Sequence, residues 1–136
     1  MRDTALDIKI HQIISNEYIR KLDKKDHDQV FPFLHKDSSK NLFIIGDIEA
    51  YGYEQDFQEL WGNFDIDGNI LAILLRYHDS FVLYGQESYN SKGIASILKC
   101  HKHSTVSGDS KVLAKLDYYL PKEKYLKTKN YFSECT

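Results

Sequence analysis

The chain has 136 residues and 15.9 kDa, which suits one domain burying about 65–70% of its unfolded surface. Its net charge of −2 argues against a dedicated nucleic-acid binder. Two cysteines, Cys100 and Cys135, are too few for a disulfide framework. The longest apolar run, Ile70–Leu75, is far short of the ~20 residues of a membrane-spanning helix, and acidic residues interrupt any signal-like core near the start. A cytoplasmic protein with no membrane partner and reduced thiols is the expectation.

Residues 1–16 read either as an extra helix or as a leader, because Ile10, Ile13 and Ile14 have helical spacing. The domain proper is expected over residues 17–136. "EYIRKL" alternates and predicts a short strand, after which Asp23 and Asp26 mark a helix start. Val30, Phe33 and Leu34 share a face of that helix, and Pro32 is expected to bend it or end it early. "NLFIIGDIEAYGY" predicts a second helix, capped by Asn41 and stopped by Gly52, with Leu42, Ile45 and Ile48 facing a sheet. Its Gly46 lies in no Gly-Lys-Ser/Thr pattern, so a phosphate loop is set aside.

From Phe57 the period changes to that of strands. "FQELWGNFD", "NILAILLRYHD" and "SFVLYG" predict a three-stranded meander with a hairpin at Asp67-Gly68, and Trp61 and Phe64 belong to its core. The middle arm is apolar on both faces, as a strand covered on both sides would be. "SKGIASILKCHKH" reads as a helix, "STVSG" as a strand, and "DSKVLAKLDYYL" as a helix capped by Asp109 or Ser110 and followed by Pro121. "EKYLKTKNYF" reads as a last strand. The order is β-α-α-β-β-β-α-β-α-β, an α/β domain with a mixed, mostly antiparallel sheet flanked by helices.

This order resembles the GNAT superfamily of N-acetyltransferases, and the resemblance sharpens at "LYGQESYNSKGIA". The family has a pyrophosphate-binding pattern, Q/R-x-x-G-x-G/A, where a helix opens. Asn90, Ser91, Lys92, Gly93, Ile94 and Ala95 fit that frame, with Asn90 in place of Gln or Arg. Backbone N–H groups at a helix start suit a pyrophosphate, and small residues let it approach. A second likeness is "TVSGDSKVLAKLDYY", which is similar to a strand followed by N-x-x-A-x-x-[L/F]-Y. There Ala114 matches, Lys111 and Asp117 depart, and Tyr118 falls where many members carry a tyrosine general acid. A phenol pKa lies near enough to a thiolate's for proton transfer.

The resemblance covers about residues 17–135 and implies acetyl-CoA as co-substrate and transfer of its acetyl group to a small-molecule or peptide amine. It implies that Asp47, Glu49, Tyr51 and Tyr53 line the acceptor mouth. It resembles most the amino-terminal unit of bacterial proteins with two tandem GNAT-like units, the first often degraded. The alternative is thus a module that binds no cofactor and serves assembly or substrate binding, with a second GNAT-like domain or a homodimer as partner. A third reading is a small-molecule or peptide binder using the aromatic wall around Tyr51 and Tyr53.

Other features carry plainer readings. Glu87 and Asp79 are solvated loop acids, so no general base stands out. "CHKH" at Cys100, His101 and His103 has no second cluster to complete a metal site, so no metal is expected. The six lysines within Lys111–Lys129, interleaved with Tyr118, Tyr119 and Tyr125, read as a solvated face.

Overall fold

The computed structural model describes residues 18–101 and 105–120. Apolar strand-forming runs build the centre of the molecule. Strands β3 (Gln58–Phe64), β4 (Ile70–Tyr77) and β5 (Ser80–Gly85) form the expected antiparallel meander. Asp65 sets the first turn, its Oδ1 accepting the N–H groups of Asp67 (2.8 Å) and Asn69 (2.9 Å), while Gly68 takes φ +86°. The second turn runs through His78 at φ 55°, held because its N–H donates to the Phe57 carbonyl and its own carbonyl accepts from Arg76.

Strand β1 (Tyr18–Lys21) pairs antiparallel with β3, and the two-residue β2 (Glu54–Gln55) also lies on β3. Strand β6 (Thr105–Gly108) lies parallel to β5, from Ser80 opposite Thr105 to Leu83 opposite Gly108. The sheet order is β1-β3-β4-β5-β6, mixed and mostly antiparallel. Helices α1 (His27–His35) and α2 (Leu42–Tyr51) cover one face, over Leu60, Ile73 and Leu75. Helices α3 (Ser91–Lys99) and α4 (Ser110–Ala114) cover the other, over Trp61, Leu74, Phe81 and Leu83. Neighbouring residues of β4 thus serve opposite cores, which is why that stretch lacks alternation. Trp61 and Phe64 are buried, as expected.

Several local expectations need correction. Pro32 lies inside α1 and does not end it. Its lost N–H bond would have gone to the second residue of the helix, and burial of Val30, Phe33 and Leu34 holds the remaining turn. Asn41 does not cap α2 with its side chain. It is buried and its Nδ2 donates to the Leu34 carbonyl (2.8 Å), tying the end of α1 to the start of α2. Leu42 does not face the sheet: it is 65% exposed, and Ile44 is buried in its place beside Ile45 and Ile48, which are buried as expected. Gly52 does stop the helix, at φ 75° with its N–H on the Ile48 carbonyl.

The expected last helix is shorter: α4 passes into a 3-10 turn at Lys115–Tyr118. Asp109 is its cap, accepting the Lys111 N–H (2.9 Å). Residues 1–16, His103, Pro121, the expected last strand and Cys135 lie outside the described residues.

Two glycines make opposite predictions. A Cβ on exposed Gly46, within α2, would meet nothing within 4 Å, whereas one on Gly108 would come within 2.5 Å of the Leu83 carbonyl oxygen. Gly46→Ala should stabilise by about 0.5–1 kcal/mol through helix propensity and a less flexible unfolded chain. Gly108→Ala should destabilise by about 1–3 kcal/mol, because relief requires β5 and β6 to part. Urea unfolding of both variants checks this, and two shifts of the same sign would contradict the packing account.

Candidate functional site

Strand β6 stops pairing at Gly108, so β5 runs on past it through Tyr84 and Gly85 with β4 alone beside it. A cleft of about 390 Å³ opens at this place. Its walls are the α1–α2 turn (Asp37, Lys40, Asn41), the end of β5 with Gln86 and Glu87, and the corner from Gly108 to Val112. Ligands of open sheets with parallel strands gather at such carboxyl ends, where the chain paths separate.

The walls are tied by polar contacts. The Tyr84 hydroxyl donates to Asp37 Oδ2 (3.1 Å), and Lys40 Nζ lies 3.4 Å from Asp109 Oδ2. Burial, and then the neighbouring Asp37 carboxylate, push the Tyr84 phenol up to about 12. It therefore stays a donor at neutral pH and keeps Asp37 oriented. The Lys111 N–H, followed by the Lys40 ammonium, holds the Asp109 carboxyl below the usual carboxylate range. Val82, Leu83 and Val112 add apolar lining.

The motif residues at the start of α3 are placed differently from a free cradle. Asn90 caps the helix itself, its Oδ1 accepting the Gly93 N–H (3.0 Å). The Asn90 N–H donates to Oδ1 of buried Asn63 (2.8 Å), whose Nδ2 reaches the Tyr18 carbonyl. A Cβ on Gly93 would lie 2.5 Å from Ile19 Cδ1 and 2.9 Å from Asn90 Nδ2, so Gly93 admits β1 and the cap. Ile94 and Ala95 are core, Ser91 is half-buried and Lys92 exposed. Two of the N–H groups that a pyrophosphate would need are therefore committed inside the protein. The residues present do not make an open pyrophosphate cradle.

Tyr118 is 88% exposed in the 3-10 turn after α4. It lines a shallow depression with Ser91, Lys115 and Tyr119, not the cleft at β5 and β6. Between the two, the Lys115 ammonium donates to the Glu87 carbonyl and lies over the Tyr89 ring, whose hydroxyl is anchored on the Val112 carbonyl (2.7 Å).

The four expected acceptor residues do not converge. Glu49 points to solvent. Asp47 is half-buried, and desolvation raises its pKa. Tyr51 stacks with Tyr77 and meets Phe57 edge-on at the far end of α2. Tyr53 is 6% exposed, and its hydroxyl meets His27 Nδ1 at 2.9 Å inside the core, where burial raises its pKa. None of them lines the cleft.

Sequence reasoning missed Asp37, Lys40 and Tyr84. Asp37 and Lys40 sit in the polar stretch "DSSK", where no local pattern separates a site from a loop, and Tyr84 reads as one more strand aromatic. Among the described residues no group of three or more His, Cys, Asp or Glu side chains is placed to hold a metal ion, and no helix is long and apolar enough to cross a membrane. No family model matches the chain, and the curated proteins and solved structures likewise give no match.

The Tyr84 pair has a pH signature. Folding raises this phenol above its unfolded value near 10, so its contribution is complete below pH 10 and is lost as pH climbs toward about 12. The stability gap between the native chain and Tyr84→Phe should be flat from pH 7 to 9 and narrow above pH 10. Urea unfolding across that range checks it, and a gap unchanged at pH 11 would exclude the shift.

Proposed function

We propose that this chain is a GNAT-like unit of an N-acetyltransferase that receives the acceptor amine and does not itself hold acetyl-CoA. The observation that carries this reading is the closed start of α3: Asn63 and Asn90 take the polar groups of the pyrophosphate position. Opening it would break two hydrogen bonds worth about 1 kcal/mol each and strand a buried Asn63 oxygen at about 1–3 kcal/mol. A total of about 3–5 kcal/mol weakens binding by roughly 100-fold or more, enough to turn a micromolar cofactor site into a weak one.

The acceptor half of the reading is supported by the element order, by the parallel β5–β6 pair and by the polar cleft at its end. In acyl transfer a C–N bond forms as a C–S bond breaks, and the amine must arrive oriented and able to lose its proton. The part of that task assigned to this chain is binding and orientation, through the Asp37 carboxylate fixed by Tyr84. Tyr118 takes no part, because it lies outside the cleft. Supply of the acetyl group falls to a second GNAT-like domain or a second subunit.

One observation favours a complete enzyme as second reading. Ser91, Lys115 and Tyr118 share a depression with Asp117 beside the start of α3, a setting where Ser91 and Lys115 would hold an anion. Titration calorimetry of this chain with acetyl-CoA separates the two. The expected result is no saturable heat below about 100 µM. Micromolar binding that Lys115→Glu abolishes, while stability is retained, would overturn the closed-cradle reading in favour of the complete enzyme. Gly93→Glu is a poor control, since Ile19 and Asn90 occupy the space beside Gly93.

A further inference from the structure

The cleft at the end of β5 and β6 is neither acidic nor basic throughout, and its charges are not all paired. Lys40 and Asp109 neutralise each other across the mouth. Asp37 spends one oxygen on Tyr84, and its other oxygen carries no hydrogen bond among the described residues. A carboxylate has about four acceptor sites, so Asp37 retains most of its capacity. On the α4 side, the Lys111 ammonium is in no ion pair among the described residues. Glu87 stands exposed at the rim, with its carbonyl already taken by Lys115.

We propose that this cleft binds a small molecule bearing both a primary ammonium and a carboxylate, the ammonium on Asp37 and the carboxylate on Lys111. The proposal deepens the acceptor reading above and rests on it. A phosphate or nucleotide would find Lys111 as the one unpaired cation among the described residues of the cleft, since Asp109 neutralises Lys40, and its several charges would meet the Asp37 and Glu87 carboxylates along the same walls. A plain amine would leave Lys111 unmatched, and a plain acid would leave Asp37 unmatched. The volume of about 390 Å³ suits a molecule of amino-acid size, and Val82, Leu83 and Val112 offer apolar surface to its carbon chain. The high-lying Tyr84 phenol keeps the Asp37 carboxylate in one orientation, which lowers the entropic cost of binding.

The test uses calorimetry and nitrogen-15 amide shifts of the chain without acetyl-CoA, so it is independent of the cofactor question. The probes are glycine, β-alanine, 4-aminobutyrate and 6-aminohexanoate, which separate the two charges progressively, with n-hexylamine and hexanoate as single-charge controls. At least one zwitterion should bind with millimolar or better affinity and shift amides at residues 37–41, 84–87 and 108–112. Asp37→Asn, which keeps an acceptor for Tyr84, and Lys111→Gln should each weaken binding about tenfold with the unfolding midpoint unchanged. Binding of n-hexylamine as tight as that of the best zwitterion, lost in Asp37→Asn but unaffected by Lys111→Gln, would overturn the zwitterion class and leave the amine reading standing. No saturable shift of the cleft amides with any probe at 20-fold the millimolar range would overturn both.

Discussion

The short parallel ladder between β5 and β6 is the constraint on which the rest of the molecule depends. Every other pairing in the sheet is antiparallel: tight turns join β3 to β4 and β4 to β5, and β1 reaches β3 after the chain has passed through α1 and α2. A parallel neighbour requires a crossover, and α3 supplies it by packing Ile94, Ala95 and Leu98 on the sheet face that carries Trp61 and Leu74. The ladder ends where Gly108 meets the carbonyl of Leu83, closer than any side chain would permit. From there β5 continues, the chain turns into α4, and the gap between them becomes the cleft. The site is thus a consequence of where a backbone pairing stops.

Polar side chains on both faces turn this sheet into one body. Asn41 ties the two covering helices on one side, and Asn63 ties β1 to the start of α3 on the other. Both are buried, and both use amide groups that match backbone donors and acceptors one for one. Gln58 does the same for the end of α2, donating to the Asp47 and Gly52 carbonyls, although its own oxygen has no partner. These three amides are structural, and the bond that Asn63 accepts from Asn90 seals the start of α3. A helix start that serves folding in this way is poorly suited to receive a phosphate.

The covering helix α2 illustrates why a single face could not be chosen from periodicity. Its ten residues are apolar nearly all round, so Leu42 and Ile44 compete equally for the sheet. Asn41 decides between them: its bond to Leu34 sets the rotation with which the helix enters, and that rotation buries Ile44 and leaves Leu42 outside. The same rotation places Tyr53 beneath His27 and separates it from Tyr51, dispersing a group that looks contiguous in the sequence.

Residue pattern alone determined the element order from β1 to α4 apart from the two-residue β2, the meander with its hairpin at Asp67-Gly68, the doubly buried β4, the Gly52 stop and a cap at Asp109 or Ser110, because each depends on neighbours within a few positions. It also determined that the start of α3 has small residues. Tertiary structure decided what those residues are for. Gly93 is small because Ile19, more than seventy positions earlier, lies against it, and Asn90 faces inward because Asn63 fixes its backbone. Likewise, Asp37, Tyr84 and Lys111 become neighbours of one cleft only once β5 and β6 lie parallel, since interactions between distant segments leave no periodic trace in the chain that makes them.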